Sequence, residues 1–201
     1  MNRTKVKGYT SKQLLNRMKS LPSFRYMPSG YHIIAVRSEE DTPDVYDDKL
    51  YLFFGRKFIM VMPCTTNSGT YGLHNFWKWN SKGTAIIKSN EVYYNAFIKT
   101  DGRNFKHHHG KVQALRQIAP LKYYRDNDYD NNIDEIGNIY EAIYNTNIHP
   151  NSYAYKTGIR SWLIGKWSTG CIVVNDLSKY WKMLNTIPYN YPVTLTLLKE
   201  W

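Results

Sequence analysis

Two apolar runs, residues 50–54 and 57–62, are joined by nothing more than Gly55-Arg56. A two-residue connection with glycine first suits a tight β-hairpin, because glycine accepts the backbone conformation that matches the twist of the two arms. An isolated hairpin is marginal in water, so its arms must join a larger sheet or pack on other elements. The rest of the chain supplies partners. Residues 32–36, 84–88, 112–118, 121–124, 142–148 and 172–174 read as short strands, with Pro120 separating the third from the fourth. Near the C-terminus Val193, Leu195 and Leu197 alternate with Thr194 and Thr196, the pattern of a half-buried last strand. Residues 92–99 suit either a strand or a helix.

Helical spacing occurs at two places. Thr10-Ser11-Lys12-Gln13 has the form of a capping box, Leu14, Leu15, Met18 and Leu21 then share one face, and Pro22 stops the run. Asp176 is positioned to cap a second helix with Leu177, Tyr180, Trp181 and Leu184 on one stripe. No repeat or linker interrupts the chain. The expectation is a mainly β domain with a few helices: an N-terminal amphipathic helical extension over residues 1–30 and one main domain over 31–201.

Charge and cysteine usage narrow the partners. The 201-residue chain carries 27 basic and 16 acidic residues, a net charge of +11, which favours an anionic partner without choosing one. The basic residues are scattered rather than grouped, which argues against a nucleic-acid arm. The longest apolar run, residues 58–62, is far too short to span a membrane. Residues 1–10 are polar and basic with no apolar stretch, so no signal peptide is expected. Two cysteines, Cys64 and Cys171, match no metal spacing and make no disulfide framework.

Cys171 stands behind a glycine in Ser168-Thr169-Gly170-Cys171, at the start of the apolar run Ile172-Val173-Val174. A buried structural cysteine opening a strand is one reading. The other is a nucleophile whose neighbouring backbone N–H groups bind an oxyanion. A thiol with an ordinary pKa of about 8.5 needs a nearby base to act at neutral pH. His149, at the end of the strand-like residues 144–148 and followed by Pro150, is the best placed of the histidines. Pairing of the two strands would bring His149 and Cys171 to one sheet edge.

Asn147-Ile148-His149, a loop, and then Trp167-Ser168-Thr169-Gly170-Cys171-Ile172 resembles the signature of L,D-transpeptidases of the YkuD type, in the divergent phage and Bacteroidetes-like branch with a Trp-Ser-x-Gly-Cys motif. Cys64-Thr65-Thr66-Asn67-Ser68-Gly69 is similar to the turn after that family's early hairpin. Gln113 to Gln117 and Arg125-Asp126 to Asp130 are similar to further stretches of that branch. The resemblance covers residues 31–201 and implies a YkuD-like β-sandwich or barrel. It implies Cys171 as nucleophile and His149 as base, with Pro150 fixing the imidazole tautomer. Gly170, Thr169 and Ser168 would support the oxyanion, and Trp167, His109 and Thr66 would contact substrate. Thr169 stands where the family has histidine, and Pro150 where it has a small residue.

The function expected from this resemblance is acyl transfer from a peptidoglycan stem peptide through a cysteine thioester, with no cofactor and no metal. The alternatives are an L,D-carboxypeptidase or endopeptidase acting as a phage lysin, and a non-catalytic virion or wall-binding protein that keeps the fold. Action at the bacterial wall would then follow carriage in a virion or release during lysis.

Three other motifs invite chemistry. His107-His108-His109 are neighbours, and adjacent side chains on extended backbone diverge, so a solvated loop is expected rather than a metal site. Residues 126–135 begin like a calcium loop, but Asn131 and Gly137 stand where the turn glycine and closing glutamate belong; a polar surface loop is expected, with calcium of another geometry as the alternative. Phe76-Trp77-Lys78-Trp79, as a strand, would place both tryptophans on one face, for core packing or for stacking on glycans.

Overall fold

The Gly55-Arg56 turn joins the first long antiparallel pair of a closed barrel. The structure, a computed structural model, describes residues 6–99, 113–151 and 163–201. Chain order begins with helix α1 (Ser11–Lys19), β1 (Tyr31–Arg37), β2 (Asp48–Phe54), β3 (Lys57–Thr65), helix α2 (Thr70–Asn75) and β4 (Thr84–Ile87). β5 (Glu91–Lys99), β6 (Leu115–Gln117), β7 (Leu121–Asp126), β8 (Tyr140–Ala142) and β9 (Asn147–Pro150) follow. β10 (Ile172–Val174), helix α3 (Leu177–Thr186) and β11 (Pro192–Lys199) close the chain. The barrel order is β1-β11-β5-β6-β9-β10-β3-β2, and β4-β7-β8 form a separate three-stranded sheet. Two pairs in the barrel are parallel, β1 with β11 and β9 with β10.

Period-2 alternation sorts the side chains. Ile33 and Ala35, Leu50 and Leu52, Met60, Met62 and Cys64, Ile148, Ile172 and Val174 belong to the main core, joined by Tyr180, Met183 and Leu184 of α3. α3 opens on Asp176, whose side chain accepts from Lys179 N, and the Tyr180 hydroxyl reaches the Gln113 and Ile148 carbonyls at 2.8 and 3.2 Å. The opposite face of β1 and β2 is covered too. Leu14, Leu15 and Met18 of α1, with Val6 and Leu21, pack on Ile34, Val36, Tyr51, Phe53 and Leu198. α1 carries the reciprocal capping box between Thr10 and Gln13.

That cover changes the last strand. Thr194 and Thr196 are buried like their apolar neighbours, so every residue of β11 between its exposed ends is inside. The expected half-buried strand is therefore a fully buried one. Residues 92–99 form strand β5, with Asn95 at φ 51° beside the register shift in the β5–β11 pairing. The expected single strand over 142–148 is two: β8 ends at Ala142 in the small sheet and β9 begins at Asn147 in the barrel. Gln117 causes the break. Its side-chain carbonyl takes the N–H groups of Tyr144 and Thr146, both at 3.1 Å, so these cannot serve a ladder. Residues 76–78 form a 3-10 turn rather than a strand, with Phe76 buried and Trp77 and Trp79 exposed.

A polar network closes one end of the barrel. Arg37 is fully buried; its guanidinium meets Glu135 at 2.5 Å and gives hydrogen bonds to Thr66 Oγ1 and Thr66 O at 3.0 and 3.1 Å. Asp48 accepts from Ser38 N, Thr66 N and Thr66 Oγ1 at 2.7, 2.6 and 2.7 Å. Burial, with the charges of nearby carboxylates, raises Asp41 to about 7 and Asp47 to about 8. Among the described residues no helix is long and apolar enough to cross a membrane.

Candidate active site

β9 and β10 run side by side in parallel, with Ile172 opposite Ile148 and Val173 opposite His149. Ile148 and Ile172 point into the main core. Alternation then puts His149 on the other face of the sheet, where Val173 and Cys171 also lie. His149 and Cys171 thus stand on one face of adjacent strands, two positions apart in register, because Val173 is the residue opposite His149. Cys171 immediately precedes β10, so its side chain stands at the entry of the strand.

The histidine is oriented by its own chain. His149 Nδ1 lies 2.9 Å from the Pro150 carbonyl oxygen. A carbonyl only accepts, so Nδ1 carries the proton, and in the neutral ring Nε2 is the basic nitrogen. β9 includes both residues: it extends through Pro150 rather than stopping before His149.

The thiol sits in an apolar pocket. Cys171 is 7% exposed and clusters with Tyr46, Ile164 and Val173. Burial pushes it up to about 11, and a backbone hydrogen bond from Asn147 pulls the other way. The resting form is therefore the protonated thiol. Cys64 differs: it is fully buried inside the barrel and belongs to the main core.

Ser168 organises the loop before the thiol. Its Oγ lies 2.7 Å from Asn67 O and 2.8 Å from Cys171 O, and it accepts from Gly170 N at 3.3 Å. Its carbonyl accepts from Ser68 Oγ and Gly69 N at 3.0 and 3.1 Å. The two segments that sequence similarity set apart, residues 64–69 and 167–172, are therefore fastened together. Gly170 has φ 116° and packs on the Ala85 backbone of β4, which brings the small sheet against the site. Its N–H donates to Ser168 Oγ. Thr169 is half-buried beside it.

One of the expected substrate contacts is engaged elsewhere in the fold. Thr66 is fully buried and its hydroxyl is engaged by Arg37 and Asp48, so the expected substrate contact is a structural tie instead. His109, and the rest of the histidine triplet, lie outside the described residues. Trp167 closes the 3-10 turn Gly165–Trp167. In the acidic stretch the carboxylates mostly cap their own loop: Asp128 accepts from Asp130 N, Asp130 from Asn132 N, and Asp126 from Asp134 N. Glu135 is drawn inward to Arg37 and Ser89. Among the described residues no group of three or more His, Cys, Asp or Glu side chains converges to hold a metal.

Sequence reasoning passed over Asp44, Tyr46 and Asn151. Asp44 accepts from Gly165 N at 2.8 Å and from the Thr70 hydroxyl, pinning the 3-10 turn to α2. Asn151 gives a 2.6 Å hydrogen bond to the Tyr46 hydroxyl and takes the Val174 carbonyl through its N–H. The step of two from His149 to Asn151 is a signal that period-2 reading could have used. Comparison with known proteins finds no matching family model, no matching curated protein and no matching solved structure.

Proposed function

We propose that this chain is a cysteine acyltransferase of peptidoglycan, with an L,D-transpeptidase-like domain of the YkuD type over residues 31–201. The reading is supported above all by the Nδ1 contact of His149 with Pro150 O, on a strand face that also carries Cys171. A thiol raised to about 11 does not ionise first. Cys171 Sγ attacks the stem-peptide carbonyl while its proton passes to His149 Nε2, so attack and deprotonation are coupled. The Cys171 N–H meets the oxyanion. Collapse breaks the C–N bond, the amine departs with the proton from His149, and a thioester remains. An acceptor amine then gives a crosslink and water gives a shortened stem. The net charge of +11 suits an anionic wall.

Digestion of purified peptidoglycan by the parent and by Cys171→Ala tests this. Crosslinked dimers mean transfer and shortened stems mean hydrolysis; full activity in Cys171→Ala overturns the mechanism. One observation favours a second reading, a non-catalytic wall-binding protein: Cys171 is only 7% exposed. In that case Cys171 of the folded protein resists thiol labelling as Cys64 does, and Cys171→Ala binds isolated walls like the parent.

A further inference from the structure

Phe76-Trp77-Lys78-Trp79 turns both of its tryptophans to solvent instead of packing them. The Phe76 carbonyl takes the N–H groups of Trp79 and Asn80, both at 2.8 Å, which fixes the turn. Phe76 is buried, while Trp77 is 58% and Trp79 54% exposed. Tyr71, on α2, is 36% exposed and meets Trp79 edge to face, with ring centroids 5.8 Å apart at 67°. The Lys78 ammonium stands 5.3 Å from the Tyr71 centroid and 5.2 Å from that of Trp77, and 2.9 Å from Asn75 Oδ1. These exposed rings share one patch, rimmed by an ammonium, a phenol and an amide. Single exposed apolar residues are ordinary, but a contiguous exposed patch marks a binding surface.

The chemistry of the patch selects its ligand. Between residues 70 and 83 the only aliphatic side chain, Leu73, is buried, so the patch offers rings for stacking and no chain to insert into lipid. Phe76 packs on Tyr129 with centroids 4.6 Å apart, and His74 Nε2 lies 2.8 Å from Asn131 Oδ1, so the acidic stretch with Asp128 and Asp130 flanks the patch. Those carboxylates oppose a phosphate backbone. An uncharged ring with apolar C–H faces and a hydroxyl rim fits both facts: its face stacks on indole, and its rim bonds to Lys78, Asn75 and the Tyr71 hydroxyl. That ligand is a pyranose. The place of the patch in the fold narrows the choice. Gly69 N and Ser68 Oγ both bond Ser168 O, and α2 packs on the 3-10 turn Gly165–Trp167, so α2 is fixed to the loop that carries Cys171. A stem peptide that reaches Cys171 hangs from a strand of N-acetylated hexosamines, and that strand needs a surface to lie on.

We infer that Tyr71, Trp77 and Trp79 form a carbohydrate-binding platform that stacks the N-acetylhexosamine chain of the peptidoglycan strand whose stem peptide enters the Cys171 site. The choice of this strand rests on the acyl-transfer reading above. The platform makes and breaks no bond. It holds the strand equally before and during reaction at Cys171, so its loss weakens binding and leaves the chemical step alone.

Isothermal titration calorimetry with glycan strands stripped of their stem peptides tests the platform apart from any reaction. The parent is compared with Trp77→Ala, Trp79→Ala and Tyr189→Ala; Tyr189 is an exposed tyrosine whose contacts with Lys99 and Gln113 lie outside the platform. Each tryptophan variant should bind the strands at least about 10-fold more weakly. Tyr189→Ala should bind like the parent, Trp77→Phe should recover part of the affinity, and every variant should melt within about 1 °C of the parent. A parent that binds no stripped strand, or tryptophan variants that bind it like the parent, overturns the platform and leaves the acyl-transfer reading to its own test. Weaker binding only in variants that melt far below the parent makes the rings structural and also overturns it. So does a parent that binds single-stranded DNA or phosphatidylglycerol vesicles through Trp77 and Trp79 but no glycan. Stripped strands that bind through both tryptophans, in a protein never acylated at Cys171, support the platform while the acyl-transfer reading alone fails.

Discussion

Gly170→Ala separates two reasons for a glycine before the thiol. At φ 116° an L side chain is strained, and a Cβ built there meets Ala85 O at 2.6 Å and Ala85 Cβ at 3.2 Å. The first effect costs about 1–3 kcal/mol. The second is overpacking against backbone of β4, which cannot rotate away, and costs about 1–3 kcal/mol more. Against these, alanine restricts the unfolded chain and returns about 0.4–1 kcal/mol. The net loss is about 1–6 kcal/mol. For a chain of 201 residues each kcal/mol moves Tm by about 2–4 °C, so Gly170→Ala should melt about 2–20 °C below the parent. Two controls isolate the terms. Gly137 has φ 86° and nothing within 4 Å of an added Cβ, so Gly137→Ala carries the conformational cost alone. Gly8 has open space and no such φ, so Gly8→Ala should leave Tm within about 1 °C. Thermal unfolding of the three variants followed by circular dichroism gives the order. The reasoning is refuted if Gly170→Ala melts no lower than Gly137→Ala, because the contact with β4 would then carry no energy.

Two further outcomes follow from the buried polar groups. Ser168→Ala removes the group shared by Asn67 O, Cys171 O and Gly170 N, and leaves them without it in a buried site; the expected loss is about 1–3 kcal/mol in denaturant unfolding, and an unchanged midpoint would contradict it. Stability should also fall as pH rises from 6.5 to 8.5. Asp41, raised to about 7, and Asp47, raised to about 8, still hold much of their protons in the folded state at pH 6.5 and release them toward 8.5, while the unfolded chain has already released them. The buried His32 is lowered and Glu135 is lowered, so their linkage acts below the window. Melting points of the parent and Asp47→Asn at both pH values check this: the variant should show the smaller drop, and a parent whose Tm rises across the window refutes the assignment.

What the sequence could and could not announce follows from the range of each interaction. The Gly55-Arg56 hairpin, the Thr10 and Asp176 caps and the core alternation of β11 are local, and each was legible within a few residues. The cover of α1 over the outer faces of β1 and β2 is not local, which is why Thr194 and Thr196 looked like solvent-facing positions. The break between β8 and β9 was hidden for the same reason: its cause is the side chain of Gln117, distant in sequence.

The two cysteines make the same point about the site. Each stands near one end of a strand, and composition does not tell them apart. Cys64 falls on the inward phase of β3, opposite Asp48, and disappears into the barrel core. Cys171 falls on the outward phase of β10, because Ile172 takes the inward position opposite Ile148. That phase decides which thiol shares a face with His149. It is set by a parallel pairing that no local pattern encodes, yet a single-residue shift in register would reverse it. The Ser168 contacts to Asn67, Cys171 and Gly170 are what hold that register at the entry of the strand. The serine of the motif is thus tied to the phase of the cysteine rather than to substrate, and Ser168→Ala should loosen the alignment of Cys171 with His149 as well as the fold.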